Sequence, residues 1–374
     1  MSIEIRRVES EGQLRKFIKF PFRIFKGNPN WIPPFFMDEL NTLSKKRNPA
    51  FEFCEAEYWL AYRDGVPVGR IAGIINHRYV EKWGNKYARF GWMDFIEDFD
   101  VAAALVKTVE DWARSKGMVA MNGPLGFTDL DKEGLLVEGF NELGTMPMIY
   151  NHPYYPEFLE RLGYKKDIDW LEFEVKVPDS IPEKVTRVQE LISRRQGIHL
   201  YDWKKPSELK RKFGKPIFHL IDEAYAHLYG TTPLSERQVE AYIAQYLGFA
   251  DPRFIKIVVD RDNSLVAFGA SIPSLSRALQ KSKGQILPFG WIHLLMALKK
   301  PKSIDMLLIA IDPKKKSLGA VAFLITSMIT SCQQAGVVSA ETAAELETNF
   351  EVQSLWKDYE RRQHKRRRAY LKML

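Results

Sequence analysis

Long apolar runs are missing from this sequence. Nowhere do about 18 predominantly apolar, uncharged residues stand together, so no membrane span is expected. The opening residues MSIEIRRVESEG lack the apolar stretch of a secretory signal, and a cytoplasmic location is the expectation. Cysteine is scarce as well: Cys54 and Cys332 lie far apart in apolar surroundings and suit reduced core residues better than a disulfide or a metal site. The seven histidines show no HxxxH or HxH spacing, which argues against a metal centre.

Core material, by contrast, is ample. The chain has 374 residues, 45% of them hydrophobic, and exceeds the size of a usual single core, so two domains are expected. The net charge of +8 is moderate, with a conspicuous basic stretch at the end, RRQHKRRRAYLKML from Arg361 to Leu374. Such a cluster could meet RNA, anionic lipid or polyphosphate. The alternation of Ala369, Leu371 and Met373 with Arg368, Tyr370 and Lys372 instead favours a half-buried strand with its charges facing out.

The chain says the same thing twice. Residues 57–79 are two alternating apolar runs joined at Asp64-Gly65, a hairpin signal, and residues 254–279 repeat the pattern around Asp262-Asn263. The offset is 262 − 64, or 198 residues; Asn151 and Asn349, in two later helix-forming stretches, are separated by the same 198. Between the copies, two prolines lead into a helical stretch and place a boundary near residues 178–183.

In the second copy, IDMLLIAIDPKKKSLGAVAFLITSM reads as a buried strand over Met306–Ile311, a lysine-bearing turn, and an apolar helix from about Ser317 to Cys332. A turn that opens a helix aims free backbone N–H groups and the positive end of the helix dipole at one point, which suits a phosphate. Gly319 lets the backbone approach a ligand, and Lys314, Lys315 and Lys316 add charge. In the first copy the strand Phe90–Phe95 and helix Val101–Lys116 are joined through Phe99-Asp100-Val101-Ala102, where an aspartate and no glycine make a poor phosphate cradle.

The hairpin, the strand–basic turn–helix and the later Asn-containing helix together resemble the Gcn5-related N-acetyltransferase (GNAT) pattern. Lys316 and Gly319 fall on the Gln/Arg and central glycine of that family's pyrophosphate turn, while Val321 stands at its last small residue. Asn349 and Leu355 match the later motif, Trp356 stands where the family has a tyrosine, and FLERLGY in the first copy matches the motif's ending. The resemblance covers nearly the whole chain and is nearest to tandem bacterial members of the superfamily.

It implies an α/β (α+β) chain of two tandem acyl-CoA N-acyltransferase-like domains, 1–178 and 184–374, each a mixed twisted sheet flanked by helices. It further implies transfer of an acyl group from acetyl-CoA or a longer acyl-CoA to a primary amine, a small molecule or a peptide, without a covalent enzyme intermediate. The cofactor contacts it implies are Ile309, Ile311, Lys316, Ser317, Leu318, Gly319, Ala320 and Asn349 in the second copy. The candidates for the base are Glu341, Glu345 and Glu347, in a strand-like SAETAAELE whose alternation would place all three on one side; the other reading is a solvated edge or helix start with ordinary carboxylates. Tyr359 is the acid candidate, one helical turn beyond Trp356. No metal and no nucleic-acid partner are expected.

The acceptor side has two candidates. Residues 121–151 form a glycine-punctuated stretch whose Asp129, Asp131, Glu133 and Glu138 could attract a cationic amine or serve as solvated turn residues. The second is Ala224 to Gln238, with Tyr225 and Tyr229 before a Gly-Thr-Thr-Pro turn. Two further functions fit the pattern: an aminoacyltransferase using aminoacyl-tRNA, and a catalytically silent acyl-CoA-binding protein.

Overall fold

The computed structural model describes residues 2–181, 183–315 and 318–374. The first half runs β1 (Glu4–Arg7), α1 (Glu11–Ile24), α2 (Phe36–Leu43), β2 (Cys54–Arg63), β3 (Val66–Asn76), α3 (His77–Trp83), β4 (Tyr87–Phe95), α4 (Phe99–Ser115), β5 (Ala120–Gly123), β6 (Leu135–Glu138), α5 (Tyr154–Arg161) and β7 (Lys165–Lys176). The second half runs α6 (Glu183–Gln196), β8 (His199–Leu200), α7 (Pro206–Tyr225), α8 (Glu236–Tyr246), β9 (Ile255–Val259), β10 (Leu265–Pro273), α9 (Ser276–Ser282), α10 (Gly290–Lys299), β11 (Ser303–Ile311), α11 (Leu318–Ala335), β12 (Ser339–Glu341), β13 (Glu345–Leu346), α12 (Phe350–Gln353) and β14 (Arg361–Met373).

Both hairpins form where their turn residues demand it. Asp64 and Gly65 take φ of 50° and 75°, the positive values an Asp-Gly turn accommodates, and Asn263 takes 59°. Among the described residues, fourteen strands join one mixed sheet in the order β1-β2-β3-β4-β5-β14-β7-β12-β11-β10-β9-β8, with β6 added to β14 and β13 to β7. Among the described residues only β4 with β5 and β11 with β12 pair in parallel. The centre of the sheet is a strand exchange: the last strand of the second half, β14, lies against β5 of the first, and the last strand of the first half, β7, lies against β12 of the second.

The middle of the basic C-terminal stretch, from His364 to Tyr370, is therefore interior. Its alternation is not that of a strand with charges turned to water, because both faces are covered: Ala369 and Tyr370 are each buried, as are Lys365 and Arg367. The charges meet carboxylates of the first half, Arg367 and Lys365 with Glu172, Arg368 with Asp169 at 2.8 Å and Lys372 with Glu110 at 2.9 Å, and Lys365 also meets Glu341 at 3.0 Å.

The equal offset of 198 residues conceals two compensating differences. Between β3 and β4 there are ten residues (77–86), but between β10 and β11 there are twenty-nine (274–302). Between β5 and α5 there are thirty (124–153), but between β12 and α12 only eight (342–349). The stretch 121–151 is also more packed than its polarity implies: it contains β5 and β6, and Phe127 and Leu135 are buried core.

Core assignments along the second-half strands alternate. Ile255, Ile257, Val259, Phe268 and Ala310 pack with α7, whereas Val258, Val266 and Ala267 pack with Ala320, Phe323 and Leu324 of α11. Successive strand residues point to opposite faces, so α7 and α11 cover opposite sides of the sheet.

Candidate active site

The two parallel strand pairs behave differently. In the first half the chain stays zipped beyond β5: Leu125 N–H donates to Phe90 O at 2.9 Å, and Gly91 and Gly123 allow the approach, since a Cβ at either would lie 2.6 Å from Leu125 O or 2.3 Å from Phe90 O. The helix start beside it is already occupied by the protein's own anion. Asp98 caps α4, accepting from Asp100 N and Val101 N at 3.0 and 3.3 Å, and pairs with Arg63 at 2.7 Å. The capping carboxylate is thus Asp98 rather than Asp100, and it fills the place where a phosphate would sit.

In the second half the pair opens. Pairing of β11 with β12 ends at Asp305–Glu341, and the chain then turns to β7: Thr342 N donates to Phe173 O at 2.9 Å, Phe173 N donates to Thr342 Oγ1 at 3.0 Å, and Glu345 pairs in register with Leu171. The strand expected over SAETAAELE is therefore broken into β12 and β13. A wedge remains between β11 and β13, holding a cavity of about 230 Å³. Its walls come from both faces of the sheet, Tyr225 and Tyr229 on one side and Leu324, Ile325, Met328, Ile329 and Cys332 of α11 on the other. From Leu324 to Cys332 the lining residues of α11 are apolar over eight rises of the helix, about 12 Å at 1.5 Å each. Beside it, β11 carries a bulge. Ala270 pairs with Leu308 and Ser271 with Met306, so Leu307 has no partner on β10 and the strand is locally re-aimed.

Two orphan polar atoms face this apolar space. Glu345 is buried; Trp356 Nε1 donates to its Oε1 at 2.8 Å, and its Oε2 has no hydrogen-bond partner. Burial pushes its carboxyl up to about 7, against the opposing pull of the Trp356 bond and of Arg361. The Tyr359 hydroxyl is likewise buried without a partner, and burial raises its pKa. Both residues line the cavity, with Ile309 and with Asn349, whose side chain caps α12 by accepting from Val352 N at 3.4 Å.

The other expected residues are placed elsewhere. Glu341 lies on β12 outside the cavity wall, bonded to Lys365 Nζ at 3.0 Å, and Glu347 pairs with Lys166 at 2.8 Å, so the three carboxylates do not share one side. Ile311 and Ala320 pack into the core on the α11 face, and Gly319 is buried at the start of that helix. Lys314 and Lys315 are held in surface pairs with Glu223 at 3.1 Å and Asp260 at 2.6 Å. Lys316 and Ser317 lie outside the described residues, and Leu318 opens α11.

Both acceptor candidates reach the same cavity. Asp129 and Glu133 from the first half line it with Tyr225, Tyr229 and Thr231 from the second, and burial raises both carboxyl pKa values. Asp131 instead accepts from Thr128 N at 3.0 Å, and Glu138 pairs with Arg366 at 3.1 Å. Tyr225 donates to Ile309 O at 2.9 Å and Tyr229 to Asp167, so these tyrosines build the wall rather than only packing a helix face. Sequence reasoning missed two features, the Trp356–Glu345 bond and the apolar lane along α11. The second was legible as a helix apolar on more than its core-facing side.

Comparison with known proteins agrees with this architecture. Over its full length the chain superposes on a tandem GNAT protein from the clavulanic acid biosynthesis pathway, with a TM-score of 0.54 at 13% identity, covering 100% of this chain and 98% of that one. A GCN5-related N-acetyltransferase from Sphaerobacter thermophilus gives a TM-score of 0.52 at 12% identity, covering 99% and 95%. The chain thus has the fold seen in tandem GNAT proteins. In sequence it is similar to Protein YghO of Escherichia coli, 29% identical over 296 residues (79% of this chain, 74% of that protein). It is also similar to the bacterial ceramide synthase of Caulobacter vibrioides, 27% identical over 299 residues (78% and 75%). No family profile matches the chain.

Proposed function

We propose that the wedge between β11 and β13 transfers a long acyl group from an acyl-CoA thioester to the amine of an amphiphilic acceptor. The observation that carries this reading is the pair of unsatisfied groups, Glu345 Oε2 and Tyr359 OH, inside one apolar cavity. A carboxyl held near 7 is matched to taking a proton from an ammonium at neutral pH. The amine then attacks the thioester carbonyl, the carbon–sulfur bond breaks, and the Tyr359 hydroxyl protonates the departing thiolate. The open edge of β11 beyond Asp305, with its bulge at Leu307, supplies backbone groups for the amides and carbonyl of the thioester arm.

The α11 lane takes the acyl chain, because an apolar wall about 12 Å long has no use for an acetyl group alone. Asp129 and Glu133 stand in the same cavity as the anionic side for the incoming ammonium. The similarity to a ceramide synthase, whose product is by name an N-acylated amino alcohol lipid, supports an acceptor of that chemistry. Thiol release from acyl-CoAs of increasing chain length, assayed with long-chain amino alcohols and with short soluble amines, tests the reading. Turnover that rises with chain length supports it; turnover with acetyl-CoA alone, or none above the amine-free rate, contradicts it.

A further inference from the structure

The twenty-nine residues between β10 and β11 have a counterpart of only ten in the first half, and the surplus contains α10. Its neighbourhood is unlike the rest of the chain. From Asn263 to Ile304 there is no acidic residue, yet there are six basic ones: Arg277, Lys281, Lys283, Lys299, Lys300 and Lys302. The chain's net charge is +8, so this segment carries +6 and everything else +2. All six are exposed. Among the described residues none of the six is in an ion pair, and the paired charges nearest in sequence are Asp260, with Lys315, and Lys314, with Glu223.

Between these basic flanks the surface is apolar. Leu287 is 74% exposed, Phe289 70% and Met296 65%, and Trp291, Ile292 and Leu295 are exposed beside them. Of the α10 residues only Gly290 is buried. Ten residues of helix are too short to be stable alone, and here almost no side chain is covered by the protein's own core. The base of the segment is nonetheless fixed: Gln280 Nε2 donates to Pro29 O and Trp31 O at 2.8 and 3.0 Å, and Ala278 and Leu279 are buried. The fold thus holds the apolar segment in place without covering it.

We propose that α10 and the residues before it are a docking surface for an anionic phospholipid bilayer. At 3.6 residues per turn, Leu298, Trp291, Leu295, Ile292 and Met296 spread over roughly 160° of the helix, and Ile286, Leu287 and Phe289 add apolar surface ahead of it. A groove on a protein partner takes a narrow stripe, whereas a bilayer interface accepts a broad apolar face. The Trp291 indole N–H is satisfied internally by Pro288 O at 3.0 Å, so the ring needs no polar partner at the interface. Lysines at both ends match a layer of negative headgroups. No described helix is long and apolar enough to cross a membrane, so the segment lies in the interface rather than spanning it. This surface stands independently of the transfer reaction.

Flotation of the full-length chain with phosphatidylcholine vesicles, with and without phosphatidylglycerol, tests the inference. Binding is expected to the anionic vesicles, to weaken with added salt, and to be lost in Leu295→Glu/Met296→Glu. Reversing Lys299 and Lys300 to Glu should weaken anionic binding by roughly tenfold or more at about 1 kcal/mol per charge. Circular dichroism and the melting midpoint should be unchanged, because the altered side chains are exposed. Three results would each overturn the inference: no wild-type binding to anionic vesicles, binding indifferent to both variants, or a dimer that Leu295→Glu dissociates while vesicle binding is absent.

Discussion

Trp356 and Glu345 are joined by one hydrogen bond, indole Nε1 to carboxylate Oε1 at 2.8 Å, which leaves Oε2 as the oxygen without a partner in the wedge. Position 356 thus carries a residue that fixes a carboxylate, while Tyr359 brings a phenol to the same cavity. Removing the donor separates positioning from structure. In Trp356→Phe, loss of a bond that favours the ionised carboxylate should push the Glu345 pKa further up and lower kcat at pH 7 by about tenfold. Part of that loss should return at higher pH. A pH–rate profile reads the shift, and a uniform loss at every pH would assign Trp356 a packing role only.

The α11 lane predicts chain-length selection. Met328 is half-buried in its wall, and Met328→Trp adds volume where the acyl chain would lie. Turnover of long-chain thioesters should fall by about tenfold or more, from roughly 1–3 kcal/mol of lost or clashing contact, with short-chain turnover retained. Competition between a short and a long acyl-CoA in one tube measures the switch.

Strand exchange makes both halves depend on one ion pair. Arg367 and Glu172 are each essentially fully buried, with Lys365 3.6 Å from the same carboxylate. Arg367→Met leaves Glu172 without its main partner, and stability should drop by about 3–5 kcal/mol, as for breaking other buried pairs. The paired change Arg367→Met/Glu172→Leu should recover much of that loss. Urea unfolding of the two variants checks it; equal stability in Arg367→Met and wild type would sever the link.

A buried carboxyl with a raised pKa costs stability once it ionises. Unfolded, Glu345 ionises near 4.5; folded, near 7. Below 4.5 it is protonated in both states and its stabilising share is fully present; that share is lost as pH rises through 7. Glu345→Gln should therefore stabilise the protein at pH 8 by roughly 3 kcal/mol, and by nothing appreciable at pH 4. Thermal melts at the two pH values read the difference.

Much of the architecture was legible because local signals and long-range packing agree. Asp64-Gly65 encodes its turn, the apolar periodicity of the α11 stretch encodes its helix, and the duplication announces itself in both. The exchange of β7 and β14 was not legible, since a strand's periodicity does not reveal its neighbour. For the same reason the arginines of β14 read as outward-facing, although they meet Glu172 and Asp169 inside the sheet. Of the candidates named from sequence, Glu345 and Tyr359 line the cavity, but sequence alone could not tell Glu341 apart from Glu345. Their separation follows from the turn at Thr342 toward β7, a tertiary event. The 198-residue offset was misleading for a simpler reason: two loop differences of opposite sign, 29 − 10 = 19 and 30 − 8 = 22 residues, nearly cancel.

The most direct test is Glu345→Gln, which keeps the size of the side chain and an oxygen for Trp356 but removes the base. With a long-chain acyl-CoA and a long-chain amino alcohol, wild-type kcat/KM should rise through a pH near 7. The variant should lose about 100-fold or more in kcat while its acyl-CoA affinity, measured by calorimetry, stays within about twofold. A Glu345→Gln enzyme with wild-type kcat and an unchanged pH profile would contradict the account.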